Sequence, residues 1–134
     1  MRFLIAGALA AGVSWTGNRA ALKLIGTKGI VVLTPLIEES AKTGSAFLIG
    51  SPLLLTHAAF GMVEGVYDSW EAGMKGITAG LTSLLGHSFY GYVANLAWNR
   101  YGEFPAAVLA GYVAHMMWNM AVMKFVVAKR RKIR

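Results

Sequence analysis

The chain has 134 residues, of which 56% are hydrophobic and only 14% are charged. A soluble domain is nearer to half apolar and about a quarter charged, so this balance favours a single-domain helical membrane protein. The absence of cysteine excludes disulfides, thiolate zinc sites and a cysteine nucleophile.

The positive charge is concentrated at the C-terminus. The formal net charge is +7, and five of the 13 Lys and Arg residues lie in the tail 129–134. Basic residues directly after a hydrophobic helix indicate the cytoplasmic side of a membrane and can bind anionic lipid headgroups. A nucleic-acid-binding tail is the alternative. Because the rest of the chain is so hydrophobic, we predict a cytoplasmic C-terminus, anionic lipids as its partner and no nucleic acid.

The hydrophobic pattern predicts four or five helices. The first covers residues 2–25; its start is like a signal peptide, but more membrane-like sequence follows, so we expect an uncleaved membrane helix. The second covers residues 30–42, where Pro35 is expected to cause a kink and Gly44 to end the helix. The third covers residues 46–69, with room for a second kink at Pro52.

The last two helices cover residues 72–98 and about 105–129. Pro105 lies where the first turn of the final helix is expected. Each of the last three helices has about 20 residues or more, enough to cross a hydrocarbon core of about 30 Å. We therefore predict an all-α, polytopic bundle of four or five transmembrane helices in the cell membrane. It forms one domain over 1–134, with a core at 30–128 and a basic tail at 129–134.

Ionisable residues lie inside these hydrophobic helices, where a charge costs at least about 2.5 kcal/mol at the bilayer centre. Their spacing of three or four residues places them on one face of each helix. Helices can bury such faces only against each other, so we predict one polar chamber, with His57 as a hydrogen-bonded core residue. The four polar faces are Glu38 and Lys42; His57, Gly61, Glu64 and Asp68; Ser83, His87, Gly91 and Asn95; and His115 and Asn119.

The chamber suits hydrolysis by activated water. The sequence has no recognisable serine nucleophile turn, phosphate-binding loop, dinucleotide fingerprint or HExxH motif. A carboxylate can accept a proton from water that attacks a carbonyl, and a histidine or asparagine can donate hydrogen bonds to the oxyanion. The same residue types leave open a zinc shell of two carboxylates and two imidazoles, formed by Glu38, Glu64, His87 and His115.

Four short motifs occur in order on successive predicted helices: EESAK at 38–42, FGMVE at 60–64, HSFYG at 87–91 and HMMWN at 115–119. Written as EExxK, FxxxE, HxxxG and HxxWN, they resemble the motifs of the PrsW family of intramembrane proteases. That family is related to the CAAX-prenyl and bacteriocin-processing proteases, whose second motif is similar but ends in histidine. The chain is shorter than typical members and resembles a minimal core.

The resemblance implies an endopeptidase that cleaves a membrane protein or peptide. Glu38 would activate the hydrolytic water. Glu39 would orient the site or bond to the backbone, and Lys42 would hold the glutamate pair. Glu64 would be the second carboxylate or a water ligand.

The resemblance also implies roles for the residues of the last two helices. His87 would be a general acid/base or an orienting group. His115 and Asn119 would polarise the scissile carbonyl and stabilise its oxyanion. Since the related proteases use glutamate without a metal, the resemblance favours a site with no cofactor over the zinc alternative.

Two other functions fit the same polar chamber. Intramembrane Glu and His residues relay protons in transporters and channels. A small membrane adaptor or immunity protein could keep such a fold without activity. The order of the motifs favours the protease, and buried carboxylates that cost folding energy argue against a scaffold. The sequence does not fix the substrate or the oligomeric state.

Overall fold

The computed structural model describes residues 1–26, 31–72 and 74–132. Within these ranges the chain is all-helical, which confirms the predicted fold class. The predicted start of the second helix at residue 30 and the last two residues of the basic tail lie outside the described residues. The helices are α1 (Arg2–Ile25), α2 (Leu33–Ile49), α3 (Leu53–Ala72), α4 (Met74–Tyr101) and α5 (Phe104–Lys132).

The second helix is longer than predicted, because Gly44 lies inside α2 and does not end it. The helix ends at Gly50, whose φ of 63° and ψ of 49° are left-handed and favour glycine. The backbone N–H of Ser51 donates to the Ala46 carbonyl at 2.8 Å. A single interior glycine costs only about 1 kcal/mol relative to alanine, so packing tolerates Gly44, whereas Gly-Ser-Pro at 50–52 forms the turn.

The prolines lie at helix starts, so the predicted kinks at Pro35 and Pro52 are wrong. Pro35 is in the first turn of α2, where its missing N–H would have no intrahelical partner. Pro52 directly precedes α3, and its carbonyl accepts the Thr56 N–H at 3.0 Å. Pro105 lies in the first turn of α5, as predicted.

The helices form a ring in which helices consecutive in the chain run antiparallel and the neighbours α1 and α3 run parallel. The order around the ring is α2, α1, α3, α4, α5 and back to α2, and α2 also contacts α3 across it. Phe47 of α2 packs edge-on against Phe104 of α5, with ring centroids 5.6 Å apart. The ends of α1, α3 and α5 therefore lie with the starts of α2 and α4, and we name this side the basic end. By position along the helices it carries Arg19, Lys23, Lys75, Lys124 and residues 129–132, whereas Arg2 and Arg100 lie at the other end.

Charged and polar side chains are buried inside the bundle beside mostly small apolar ones, and many large apolar side chains lie on its surface. Lys42, His57 and Glu39 are fully buried, whereas Leu48 is 83% and Leu85 72% exposed. The buried apolar cluster of the described residues consists of three small or medium side chains, Ala46, Leu53 and Ala107. Charged residues are almost never fully buried in water-soluble proteins unless they are paired, and Lys42 and Glu39 form such a pair.

One helical segment of the described residues, Phe104–Lys124, is long and apolar enough to cross a membrane by length and composition. It has 21 residues and a mean hydropathy of 1.3. The predicted four or five spans do not follow from hydropathy alone. The helix α2 has only 17 residues, and α3 contains His57, Glu64 and Asp68, which lower its mean hydropathy.

Glycines allow α3 and α4 to cross closely. A Cβ added at Gly80 would lie 2.7 Å from the Gly65 carbonyl oxygen, so a side chain there would force the helices apart.

We predict that Gly80→Leu lowers the free energy of unfolding by about 1–3 kcal/mol or more, because this is the typical cost of overpacking. Thermal unfolding in detergent measures the change. The matched control is Gly44→Leu, because a Cβ at Gly44 meets no heavy atom within 4 Å. Equal melting temperatures for the two variants would contradict this packing.

Candidate active site

A buried lysine lies at the centre of the polar chamber. Lys42 is fully buried, and its Nζ donates to Glu39 Oε1 at 2.5 Å and to His87 Nδ1 at 2.8 Å. Its distance to Glu38 Oε2 is 3.7 Å. The predicted role of Lys42 in holding the glutamate pair thus has a geometric counterpart, but the shorter contact is with Glu39 and not with Glu38.

The lysine fixes the protonation of His87. An ammonium group has no lone pair, so His87 Nδ1 must accept, and the ring proton lies on Nε2. This Nε2–H donates to Glu64 Oε2 at 2.7 Å, and Ser83 Oγ donates to the same oxygen at 2.5 Å. A chain of contacts therefore joins the glutamate pair of α2 to Glu64 of α3.

Glu39 is enclosed by three cationic or imidazole groups. Besides Lys42, His115 donates from Nδ1 to Glu39 Oε1 at 3.0 Å, which leaves His115 Nε2 free of this contact. His57 Nδ1 lies 3.4 Å from Glu39 Oε2. The space for this carboxylate exists because α5 has Gly111 there, where a Cβ would lie 2.6 Å from Glu39 Oε2.

His57 differs from its prediction as a hydrogen-bonded core residue. Its ring is fully buried, but neither ring nitrogen has a hydrogen-bond partner among the described residues. A Cβ at Gly91 of α4 would lie 2.5 Å from the His57 Cβ, so this glycine makes room for the imidazole. His57 therefore belongs to the polar cluster by position, against the carboxylate of Glu39.

One carboxylate oxygen of Glu38 accepts a hydrogen bond, and the other has no hydrogen-bond partner among the described residues. Asn18 of α1 donates from Nδ2 to Glu38 Oε1 at 2.9 Å. Glu38 Oε2 is buried and accepts no hydrogen bond from the described residues. Its nearest ionisable neighbours are Lys42 Nζ at 3.7 Å and His115 Nδ1 at 3.9 Å. This oxygen is therefore available to a water molecule or a substrate group.

Aromatic rings enclose the cluster. Lys42 Nζ lies 4.5 Å from the centroid of the Phe60 ring, a cation–π distance. The Tyr90 ring stacks on His115 with centroids 4.5 Å apart and planes inclined by 14°. These contacts fix the orientation of the ammonium and of the imidazole.

Two clefts of the described structure reach the cluster, and both are lined by Glu38, Glu64 and Asp68. One cleft, of about 520 Å³, lies between α1 and α3. The other, of about 510 Å³, is bounded by α2, α4 and α5 and is lined by His87, His115 and Asn119. Glu64 is the most accessible carboxylate of the cluster, with 38% of its side chain exposed.

All seven predicted site residues meet in this region. Glu38, Glu39, Lys42, His87 and His115 are buried in mutual contact, Glu64 contacts His87, and Asn119 lines the same cleft as His115. Asn95 lies elsewhere, in a cavity of about 340 Å³ near the opposite end.

Sequence reasoning missed the part played by Asn18 and Tyr90. Asn18 lies four residues after Ser14, which is also buried, and this spacing could have been a signal, although it does not reveal the bond to Glu38, 20 residues further along the chain. Tyr90 lies three residues after His87, and its position on the polar face of α4 could have been a signal.

Three residues of the cluster are close enough together to be considered as metal ligands. Glu38, His87 and His115 each offer one ligand atom, all within 4.8 Å of one another. However, both nitrogens of His87 are already engaged, one by Lys42 and one by Glu64. The Lys42 ammonium lies 2.8 Å from His87 Nδ1 and 3.7 Å from Glu38 Oε2. A divalent cation bound to these two groups would have to displace it.

No family model matches the sequence, and no curated protein or solved structure matches it either.

The buried lysine provides a stability prediction. Lys42→Met leaves the adjacent carboxylates without their cation, and breaking a buried pair from one side costs about 3–5 kcal/mol. We expect a large fall in the melting temperature in detergent. The double variant Lys42→Met/Glu39→Gln should recover part of it, because the uncompensated charge is removed. A single variant as stable as the wild type would contradict the central position of Lys42.

Proposed function

We propose that the protein is an intramembrane endopeptidase that hydrolyses a peptide bond in or near a membrane segment of its substrate. The observation that carries the proposal is the buried Glu38 Oε2, which has no hydrogen-bond partner and lies beside both clefts. His87 and His115 lie next to Glu38, and Glu64 lines the same two clefts. A base, a second carboxylate and two imidazoles are thus together where a peptide and a water molecule could meet.

We further propose that all five helices cross the membrane. The support is the buried charged cluster together with the many exposed Leu, Val and Phe side chains, since a large exposed apolar surface marks contact with a membrane or a partner. Trp70 and Tyr101, near opposite ends, are 88% and 65% exposed, as expected of residues at the membrane–water interfaces. The excess of Lys and Arg at the basic end favours its placement in the cytoplasm, with the N-terminus outside.

The reaction begins at Glu38. Its free oxygen accepts a proton from water while the water oxygen forms a bond to the scissile carbonyl carbon. The tetrahedral intermediate then collapses, the C–N bond breaks, and Glu38 returns the proton to the leaving nitrogen. Asn18 holds the other oxygen of Glu38, which keeps the carboxylate pointed at the clefts.

The oxyanion needs donors on the opposite side of the carbonyl. Glu39 fixes the Nδ1 proton of His115, so a second proton on Nε2 would make this imidazole a donor to the oxyanion. Asn119, one turn further along α5, lines the same cleft and carries an amide donor. Glu64, held by His87 and Ser83, would orient the attacking water.

Among the described residues, the cavities give the transporter alternative no support. The cavity near the opposite end is lined by Ser51, Asn95 and Trp98 and shares no lining residue with the two clefts. A proton or solute pathway across the membrane would need to connect them. The cluster therefore favours chemistry at a site open from one side.

Replacing the base should abolish cleavage. Glu38→Gln keeps the size and the Asn18 contact but removes the proton acceptor, so we expect cleavage of co-expressed single-span membrane substrates to fall by at least about 10²-fold. Cleavage by the Glu64→Gln and His115→Ala variants should also fall steeply. The matched control is Glu103→Gln, at the exposed turn before α5. Retained cleavage in Glu38→Gln, with the protein folded, rules out the proposed role.

Metal removal should have no effect. Because Lys42 lies against the ligand atoms that a divalent ion would use, we expect cleavage to persist after incubation of the purified protein with EDTA or phenanthroline. Loss of cleavage that added zinc restores would show that the metal shell, and not glutamate alone, activates the water.

A further inference from the structure

Two polar residues of α1, Ser14 and Asn18, line the cleft between α1 and α3 and lie outside the four motifs of the sequence. Resting on the proposed peptidase activity, we propose that they form a subsite that binds the backbone of the substrate. Ser14 donates a hydrogen bond to a peptide carbonyl, and Asn18 accepts one from a peptide N–H group. The ligand is an extended stretch of polypeptide next to the scissile bond.

Ser14 lacks the hydrogen bond that other hydroxyl groups of these helices make. Only 2% of the residue is exposed, and its Oγ has no partner among the described residues. By contrast, Ser69 and Ser88 each donate to the backbone carbonyl four residues before them, at 2.7 Å. A serine inside a helix can satisfy its hydroxyl in this way. Because a buried hydroxyl without a partner is costly, we expect a ligand to supply the partner of Ser14.

Asn18 divides its two polar atoms between the protein and the cleft. Its Nδ2 donates to Glu38 Oε1 at 2.9 Å, whereas its buried Oδ1 has no partner among the described residues. An amide oxygen can only accept, so the group that completes it must carry an N–H or O–H donor. The bond to Glu38 places this acceptor beside the proposed base. A peptide N–H group bound there would therefore lie close to the bond that is cleaved.

The spacing of the two residues fits an extended chain. Residues four apart on a helix lie on one face, about 6 Å apart along the helix axis. In an extended chain, the backbone groups that point to the same side repeat about every 6.7 Å, which is twice the rise per residue. One face of α1 can therefore bond a carbonyl at Ser14 and an N–H group at Asn18 within the same peptide segment.

The remaining lining residues of this cleft explain why a peptide needs such a subsite. Most of them are apolar, among them Ala8, Phe60 and Val63. A backbone that unwinds in apolar surroundings loses its helical hydrogen bonds and needs new partners. The hydrocarbon chain of a lipid has no N–H or C=O group, so it would leave Ser14 and Asn18 unpaired. Water is therefore the ligand that competes with the peptide.

Removing the Ser14 hydroxyl tests the subsite. Ser14→Ala should raise the KM for a single-span membrane substrate about three- to tenfold, with a smaller change in kcat, because one hydrogen bond to the bound substrate is lost. The melting temperature in detergent should not fall, since no group of the protein loses its partner. An unchanged KM, or a fall in the melting temperature, would show that Ser14 holds a structural water and not the substrate.

The matched control for this variant is Thr16→Ala, on the same helix. The exposed Thr16 hydroxyl donates to the Val13 carbonyl at 2.8 Å, so it already has a partner in the backbone. We expect the KM of Thr16→Ala to equal that of the wild type. An equal rise in KM for both variants would show that any lost hydroxyl on α1 weakens binding, and the subsite would be overturned.

A second measurement does not depend on cleavage. A dye-labelled apolar peptide in detergent micelles is titrated with the Glu38→Gln protein, alongside analogues in which one amide at a time is replaced by an ester. An ester lacks the N–H donor, so we expect one analogue to bind about three- to tenfold more weakly than the parent peptide. Adding Asn18→Ala should abolish this difference, whereas adding Thr16→Ala should preserve it.

The outcomes of the titration separate the subsite from the proposed activity. Equal binding of all ester analogues, or a difference that persists in Asn18→Ala, overturns the subsite even if the wild type cleaves its substrates. If the wild type cleaves no substrate but the predicted binding pattern is found, the proposed function fails and the subsite stands as a peptide-binding site.

Discussion

The contact on which the structure depends is the buried ammonium of Lys42 between Glu39 and His87. It joins α2 to α4, and through Glu39 and His87 it reaches His115 of α5 and Glu64 of α3. A buried charge is tolerated only when its neighbours satisfy it, so all four helices must bring their polar faces to the same point. The apolar cluster is too small to organise the bundle in this way.

The same cation separates the duties of the two neighbouring glutamates. Lys42, His115 and His57 surround Glu39, which makes it a structural anchor. One oxygen of each glutamate lacks a hydrogen-bond partner, but Glu39 Oε2 faces His57 and Gly111, whereas Glu38 has longer contacts with Lys42 and His115 and lines both clefts. A pair of adjacent carboxylates thus supplies one residue that holds the site and one that can act as a base. Gly111 and Gly91 provide the space that this arrangement needs next to Glu39 and His57.

Much of the site could be predicted from helical spacing. Residues three and four apart share a face, and buried polar faces must meet, so the convergence of Glu38, Glu64, His87 and His115 followed from the sequence. Spacing did not decide which glutamate Lys42 prefers, because both i,i+3 and i,i+4 neighbours are within its reach. The contact of Asn18 with Glu38 depends on how α1 packs, and no local pattern encodes it. The predicted helix end at Gly44 and the predicted kinks at Pro35 and Pro52 were wrong. The effect of a glycine or a proline depends on its position relative to the helix ends, and the folded chain decides where those ends lie.

The central claim is that water activated by Glu38 cleaves peptide bonds inside the bundle. The most direct measurement uses the purified protein in liposomes with solubilised membrane proteins in ¹⁸O-labelled water, followed by mass spectrometry of newly formed C-termini. The account predicts that the wild type produces new C-termini carrying ¹⁸O and that Glu38→Gln produces none. Labelled termini formed equally by Glu38→Gln, or no new termini from the folded wild type, would contradict it.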